Sequence, residues 1–283
     1  MAVDLHIHTN ASDGSLSPEK VVEIAARLRL SAISITDHDS IDAIARARVA
    51  ARHHELVVVP GIELSTVFEQ ATPHILLYFI TPDQPELVSL IRRRRHDRRR
   101  RLMAILDRLM ALDIAISLEE LLHIAPDRDA PLGRFHIACA MLKKGLVNNI
   151  PEAFDIYLAE GRPAYLPITG LEVGEVVKLA STLGAVSSLA HPGLSIDDPG
   201  IERLAAMGVE GIEVVSSKHS PEQRSHYLAL ARRLGLIITG GSDCHGPSSS
   251  AGILLGRATL EDEYWRELLM AAAKKGVDGA QTI

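Results

Sequence analysis

Cysteine, aromatic residues and long apolar runs are all scarce in this sequence of 283 residues, and each shortage excludes a class of protein. The two cysteines, Cys139 and Cys244, make no disulfide framework and suit a reducing cytoplasm. An aromatic content of 4% disfavours a surface that stacks the bases of long single strands. No apolar run approaches the roughly 18–20 residues of a membrane span, and no basic segment precedes Val3. We therefore expect a cytoplasmic protein without a signal peptide or a membrane partner, and no feature indicates a protein partner.

Several sequence motifs of enzymes are absent as well. There is no G-x-S-x-G elbow for a serine nucleophile, no phosphate-binding P-loop and no G-x-G-x-x-G. What the sequence has instead is histidine, with 13 copies in a chain whose 47% hydrophobic content is typical of a folded protein. A chain of this length forms one barrel-sized domain or two smaller units.

Short β-rich segments alternate with helical patterns over the first 84 residues. A helix is predicted to begin at Pro18, with Ser17 as its N-cap, and to run to residue 30, and a second is predicted over residues 41–54. The last two of the predicted strands read as a hairpin, and Pro60 and Gly61 break the strand before them. The five strands are predicted at residues 3–7, 32–36, 56–59, 63–67 and 74–80.

The pattern then changes to about 75 residues that are almost purely helical, from Pro85 to about Leu158, which predicts an inserted helical subdomain. Alternation resumes near residue 172, with strands predicted at residues 185–189, 211–215 and 236–239 and helices at 200–207, 221–234 and 261–275. Residues 1–84 and 172–283 thus form two segments of one α/β unit, and residues 85–171 form the insert. About seven strand–helix units are close to a (β/α) barrel, whose active site lies at the carboxyl ends of its strands.

Side chains that bind metals follow these strands. His6 and His8 are two residues apart, which places both imidazoles on one face of a strand. Nine ligands are too many for one tetrahedral zinc ion and suit two or three cations that share a bridging carboxylate. The nine candidates are His6, His8, Asp13, His38, Glu63, His74, His191, Asp243 and His245.

Simpler interpretations remain for several of these acids and histidines. Asp37 and Asp39 suit N-caps of the helix near residue 41, and we favour that role for Asp39. Asp13 precedes Gly14 and suits a turn. Four isolated histidines are interpreted as surface or helix-end residues: His53, His96, His123 and His226.

The motifs together resemble those of the PHP (polymerase and histidinol phosphatase) family of the amidohydrolase superfamily. The resemblance rests on H-I-H-T at residues 6–9, D-G at 13–14, T-D-H at 36–38, G-I-E at 61–63, H-P at 191–192 and S-D-C-H at 242–245. It implies a distorted (β/α)7 barrel that holds three divalent cations, usually Mn²⁺ with Fe, Zn or Co as alternatives, and hydrolyses phosphoesters. The insert is similar to that of a subgroup that acts on nucleotides.

The resemblance also assigns the ligands, with Glu63 as a bridge between two cations. Cys244 is either a thiolate ligand or, as we favour, a packed neighbour. The three sets are His6, His8, Glu63 and Asp243; then Glu63, His74 and His191; then Asp13, His38 and His245. Paired cations lower the pKa of bound water to about 7 and supply hydroxide for attack on phosphorus.

The catalytic and substrate-binding residues are less strongly marked. His219 follows a strand and is nominated as the acid that protonates the leaving group, although it also neighbours a helix start; Asp37 is a second catalytic candidate. Arg134 suits bidentate phosphate binding at a helix start. Four further residues are candidates for binding the substrate, of which Arg162 has the alternative role of bracing a loop: His136, Arg162, Ser217 and Lys218.

The substrate hypothesis is a nucleoside 3′,5′-bisphosphate, hydrolysed at the 3′ position to the 5′-monophosphate, with the second phosphate on Arg134. One alternative is a 5′-to-3′ exoribonuclease acting on short 5′-phosphorylated RNA. Another is a histidinol-phosphate phosphatase, which gives no role to the insert. A non-enzymatic alternative is a metal-binding accessory of a polymerase.

A run of arginines has two interpretations of its own. Residues 92–101 contain eight Arg and one Asp, so the net charge of −6 divides into +7 there and −13 elsewhere. The side chains point in nearly all directions around a helix, so we expect that no single pocket uses them and that they form a solvated, partly acid-paired face. The alternative is an electrostatic guide for a polyanion such as a short RNA.

Overall fold

Seven strands form one sheet whose spatial order follows the chain. The computed structural model describes residues 2–124, 132–167, 170–247 and 253–277. After the last strand, His8 N donates a hydrogen bond to the carbonyl of Cys244 at 2.9 Å, which brings the two sheet edges together into a nearly closed barrel. The strands are β1 (Val3–Ile7), β2 (Ala32–Ile35), β3 (Val57–Ser65), β4 (His74–Tyr78), β5 (Val186–Leu189), β6 (Gly211–Ser216) and β7 (Ile237–Gly241). The predicted barrel class is confirmed.

The contact between β7 and β1 depends on one glycine. A Cβ atom on Gly241 would lie 2.3 Å from the backbone nitrogen of His6. No side chain fits at that distance, so glycine is required where the last strand meets the first.

The third strand differs from its prediction. β3 is continuous through Pro60 and Gly61, where the sequence predicted a break, because this is the point at which the strand changes neighbours. Residues 57–60 pair in parallel with β2, and residues 61–65 pair with β4. Pro60 has no N–H to donate, but its carbonyl still accepts a hydrogen bond from Ile80 N at 3.3 Å.

The fourth strand runs in the opposite direction to the others. β4 is antiparallel to β3, as the predicted hairpin requires, and it is antiparallel to β5 as well. The amino end of β4 therefore lies beside the carboxyl ends of its neighbours. This reversal explains why His74, which begins β4, reaches the same rim as ligands that follow other strands.

Helices surround the barrel segments. Ser17 caps α1 as predicted, accepting a hydrogen bond from Lys20 N at 3.3 Å. The N-cap prediction for Asp39 is wrong: α2 begins after Ile41 without a side-chain cap, and Asp39 pairs instead with arginines of the insert. The helices are α1 (Pro18–Arg27), α2 (Asp42–Ala51), α7 (Val173–Leu183), α8 (Asp198–Ala206), α9 (Pro221–Leu234) and α10 (Asp262–Lys274).

The insert is helical, as predicted. Its elements are α3 (Pro85–Met110), α4 (Leu118–Leu122), α5 (Arg134–Lys143), α6 (Ile150–Ala153) and a π-helical turn (Phe154–Leu158). The amino half of α3 packs Leu87 and Ile91 into the barrel core, and its carboxyl half packs Leu102 and Leu109 into a separate core within the insert. Within the described segments, no helix combines the length and apolar character that crossing a bilayer requires.

Candidate metal centre and adjoining cavity

All nine predicted ligands meet at one end of the barrel. They fall into four overlapping groups in which one nitrogen or oxygen atom per residue lies within 4.8 Å of the others. The groups are His8, Asp13, His38 and His245; His6, His8 and Asp243; His6, Glu63 and His191; and His38, Glu63 and His74.

Glu63 lies at the centre of this cluster, and its side chain is fully buried. Oε1 lies 2.8 Å from His74 Nδ1 and 3.2 Å from His191 Nε2. Oε2 faces three further imidazole nitrogens at 3.1–3.3 Å, those of His6, His8 and His38. A carboxylate with five histidines around it is placed to bridge cations.

Two aspartates lie at the edges of the cluster. Asp243 Oδ1 is 3.2 Å from His8 Nε2, and Asp13 Oδ1 is 3.6 Å from His8 Nδ1. His245 Nε2 lies 3.5 Å from Asp13 Oδ1. The ring of His8 therefore lies between two of the predicted ligand sets, whereas the family resemblance assigned it to one.

The donor set fits divalent cations. Nε2 of His6 lies 3.2 Å from Nε2 of His8, close to the spacing of about 3.4 Å expected for two nitrogens on one tetrahedral ion. Oε2 of Glu63 and Nδ1 of His38 are buried without a hydrogen-bond partner. Acceptor atoms that converge without donors between them are satisfied when a cation binds.

The electrostatics of the cluster also favour a cation. Burial alone would raise the pKa of Glu63, but His38, His6 and His74 lower it well below its usual value. Burial alone would lower the pKa of His8, but Asp243 and Glu63 raise it to about 10. The carboxylates therefore stay ionised and the site stabilises positive charge, which a metal ion supplies in place of a proton.

Asp37 is engaged in holding a loop. Its carboxylate accepts hydrogen bonds from the Thr9 amide and hydroxyl, both at 2.7 Å, and from Ser12 Oγ at 2.6 Å. These contacts fix the segment after β1 that carries Asp13. The N-cap interpretation of Asp37 is wrong, and its catalytic role stays a prediction.

Beside the metal cluster is a cavity of about 150 Å³. Asp13, His38 and His74 line one end of it, and the insert lines the other. The insert contributes Arg94, Asp97, Arg98, Arg101, Gly133, Arg134, Phe135 and Phe154. The expectation that no single pocket uses the arginine run is wrong, because residues 94, 98 and 101 are four and three positions apart and share one face of α3.

Two of these arginines carry little compensating charge. Arg134 Nη1 donates to the Leu158 carbonyl at 3.2 Å and its guanidinium lies 5.4 Å from the Tyr165 ring centre. Arg101 Nε donates to the Leu166 carbonyl at 2.8 Å. Burial, together with repulsion from Arg134 and Arg98, lowers the pKa of Arg101 to about 10. Neither Arg101 nor Arg134 forms an ion pair within the described residues, so an anion in the cavity would be stabilised.

The rest of the arginine run is partly paired with acids, as predicted. Arg93 Nη2 lies 2.8 Å from Glu175, Arg100 Nη2 lies 2.6 Å from Asp97, and Arg95 pairs with Asp42. These pairs reduce the positive charge that the outer face of α3 offers to a polyanion.

The remaining insert candidates are held by contacts within the insert. His136 is buried, and its Nδ1 accepts a hydrogen bond from Gly133 N at 3.2 Å at the start of α5. Arg162 is exposed in a turn, where its amide donates to the Ala159 carbonyl at 3.0 Å. Neither residue lines the cavity.

The three residues after β6 lie near the metal cluster. Lys218 Nζ lies 3.5 Å from Asp243 Oδ2, and Ser217 Oγ donates to the Ser242 carbonyl. His219 is buried with Nδ1 3.0 Å from the Val214 carbonyl, and burial lowers the pKa of its ring. The acidic form of His219 is thus disfavoured, and its role as proton donor stays a prediction.

One residue that the sequence analysis missed contacts the cluster from β6. Glu213 Oε1 lies 3.0 Å from His6 Nδ1, on the side of the ring that faces away from Glu63. The available signal was a single acid within the apolar strand G-I-E-V-V-S.

The comparison with protein families agrees with this geometry. The sequence pattern of the PHP domain matches residues 4–159, which include six of the nine ligands. The chain belongs to the PHP family. It is therefore a metal-dependent hydrolase of phosphoester bonds.

Individual PHP proteins extend the likeness over most of the chain. The 5′-3′ exoribonuclease Rnm of Escherichia coli is 33% identical over 251 residues, covering 86% of this chain and 85% of that protein. The 3′,5′-nucleoside bisphosphate phosphatase of Chromobacterium violaceum is 31% identical over 250 residues, covering 87% of each. The crystal structure of a metal-dependent phosphoesterase from Bifidobacterium adolescentis is 30% identical and superimposes with a TM-score of 0.87, covering 95% of this chain and 96% of that one.

Proposed function

We propose that this PHP protein hydrolyses the 3′-phosphate of nucleoside 3′,5′-bisphosphates and releases the 5′-monophosphate. The observation that carries the proposal is the cavity with metal ligands at one end and arginines at the other. A substrate with two phosphates matches two such ends, with the reacting phosphate at the metal ligands and the second at Arg134 and Arg101. A phosphatase of this specificity is also among the relatives.

Phe135 and Phe154 of the insert also line the cavity and offer rings against which a base can stack. Stacking contributes about 1–3 kcal/mol per base and does not distinguish among bases. The proposed enzyme therefore accepts purine and pyrimidine nucleotides alike.

In the proposed mechanism, the nine clustered residues would hold up to three divalent cations, for which we propose Mn²⁺. When bound, such cations supply hydroxide at neutral pH and offset charge on the phosphoryl oxygens. As the shared carboxylate, Glu63 would help to hold these cations, and Lys218, 3.5 Å from Asp243, would bind the reacting phosphate from the barrel side. Ser217 braces that segment against Ser242, and His219 delivers a proton to the leaving 3′-oxygen.

The second candidate is a 5′-to-3′ exoribonuclease on short 5′-phosphorylated RNA, the activity named for the Escherichia coli relative. It requires the same metal centre and the same arginines for a terminal phosphate. Arg93, Arg95 and Arg100 each form an ion pair with an acidic residue, which leaves less positive charge along α3 for a polyanion. This favours the nucleoside bisphosphate over RNA as the substrate. Histidinol phosphate has a single phosphate and would leave the arginine end without a partner.

A panel of esters assayed with added Mn²⁺ tests the proposal. It comprises nucleoside 3′,5′-bisphosphates, 5′- and 3′-mononucleotides, short 5′-phosphorylated RNAs and histidinol phosphate. We expect kcat/KM to be highest for the bisphosphates and to depend weakly on salt. A higher kcat/KM for the RNAs, with a steep loss between low and moderate salt, would favour the exoribonuclease instead.

A further inference from the structure

Glu213 connects two of the predicted metal ligands from beneath the cluster. Oε1 lies 3.0 Å from His6 Nδ1, and Oε2 accepts a hydrogen bond from the backbone amide of His191 at 2.7 Å. Its side chain is fully buried in β6. One carboxylate thus joins the ends of β1 and β5, which are not neighbours in the sheet.

The contact with His6 determines which nitrogen of the ring is free. A carboxylate acceptor at Nδ1 keeps the proton there, so the lone pair of Nε2 points towards Glu63 Oε2 at 3.3 Å and Asp243 Oδ1 at 3.5 Å. Such a partner also raises the basicity of the liganding nitrogen. Glu213 therefore selects the tautomer that can bind a cation.

The contact with His191 stabilises an unusual backbone conformation at that residue. His191 has φ +29° and ψ +59°, in the left-handed region that a non-glycine residue rarely occupies. Its amide donates to Glu213 in this conformation, and its ring nitrogen Nε2 then lies 3.2 Å from Glu63 Oε1. Strained ligand geometry of this kind persists only where the surroundings fix it.

From these contacts we infer that Glu213 is a positioning residue of the metal centre: it holds His6 and His191 in liganding geometry on both sides of Glu63. Two N–H donors point at it, and only a carboxylate offers one oxygen to each. An amide would offer one oxygen and turn its NH₂ group towards the other donor. The inference concerns metal binding and does not depend on which phosphoester is the substrate.

The test is Glu213→Gln, with Glu210→Gln as the matched control. Glu210 lies just before the same strand, where it binds Ser187 N and pairs with Lys275 at 2.8 Å, away from the cluster. Metal-free protein is titrated with Mn²⁺ in a metal buffer, and bound metal is measured after dialysis. We expect Glu213→Gln to weaken binding about 10- to 100-fold and Glu210→Gln to leave it unchanged. Wild-type affinity in folded Glu213→Gln overturns the proposal.

Two further measurements separate positioning from a general loss of stability. The visible spectrum of the Co²⁺-loaded variant reports ligand geometry, and we expect it to differ from the wild-type spectrum at full loading. If Glu213→Gln does not fold, wild-type protein loaded with Zn²⁺ and labelled with ¹⁵N-histidine is studied by NMR. We expect a slowly exchanging Nδ1–H on His6. A His6 ring protonated at Nε2, or a Co²⁺ spectrum identical to the wild type, contradicts the inference.

Discussion

Asp39 Oδ2 lies 2.5 Å from Nε of Arg98, and this ion pair of a buried aspartate with a partly buried arginine joins the barrel rim to the helical insert. Arg94 approaches the other oxygen of Asp39 at 3.5 Å. Burial alone would raise the pKa of Asp39, but the charges of Arg98 and Arg94 lower it overall. The pair fixes Arg98, which lines the cavity, relative to Asp39, which directly follows the predicted ligand His38.

The Asp39→Asn variant tests this link. Asparagine tolerates the positive φ of +48° at this position, so the backbone is kept while the charge is lost. Because two guanidinium groups lose a buried counter-charge, we expect the free energy of unfolding to fall by ~3 kcal/mol. Urea denaturation of the metal-free protein measures it.

The matched control is Asp42→Asn, which breaks the pair with Arg95 at the surface, where the two side chains are 41% and 34% exposed. An exposed pair contributes at most about 1 kcal/mol, so the loss should be much smaller. Equal losses in the two variants would show that burial of Asp39 is not what makes its pair strong.

Arg134→Ala tests the arginine end of the cavity. A charged hydrogen bond to phosphate contributes about 1.5–3 kcal/mol, so KM for a nucleoside 3′,5′-bisphosphate should rise about 10- to 100-fold. Hydrolysis of a simple phosphomonoester such as phenyl phosphate should be unchanged, because it has no second phosphate. Arg162→Ala removes an exposed arginine that does not line the cavity and should alter neither substrate. The assignment is wrong if Arg134→Ala spares the bisphosphate and impairs the simple ester.

Asp243→Asn and Cys244→Ser distinguish a ligand from its neighbour. Asp243 Oδ1 lies 3.2 Å from His8 Nε2, whereas Cys244 packs in a hydrophobic cluster and its sulfur accepts a hydrogen bond from Gly246 N. We expect Asp243→Asn to lower the number of metal ions retained per protein and Cys244→Ser to leave it unchanged. Elemental analysis after dialysis measures both. Metal loss in Cys244→Ser would identify a thiolate ligand.

His219→Asn tests the proton donor with two leaving groups. An alkoxide needs a proton to leave and a nitrophenolate does not, so we expect kcat to fall ~10²-fold for a 3′-nucleotide and little for a nitrophenyl ester. Because burial lowers the pKa of His219 from 6.5, the donor contribution should grow as the pH falls towards that lowered value. Equal small effects on both esters would remove His219 from the mechanism.

Short spacings in the sequence explain why several of the nine predicted ligands lie together. His6 and His8 are two residues apart at the end of β1, and Asp243 and His245 are two residues apart after β7, so the members of each pair stay close to one another. Glu213 was not predicted because it stands alone in an apolar strand. Its role depends on β1 and β5 lying on either side of it, which only the barrel shows.

The errors concern side chains whose partners lie far along the chain. Asp39 looked like an N-cap of α2 because that helix follows it, but its partners are 55 and 59 residues away on α3. The sequence favours Arg134 as the ligand of the second phosphate and leaves Arg162 as a further candidate that could instead brace a loop. Tertiary packing buries Arg134 against Phe154 and leaves Arg162 in solvent.

The reversal of β4 has a consequence for the length of α3. The chain leaves β4 at the far end of the barrel and must return to reach the rim. The 26 residues of α3, about 39 Å of continuous helix, cover that return and enter two cores on the way. One extra residue between Ile91 and Leu102 would rotate everything beyond it by about 100° and advance it by about 1.5 Å. The number of residues in that stretch therefore sets how far the rest of the insert is rotated about the α3 axis relative to the predicted metal ligands.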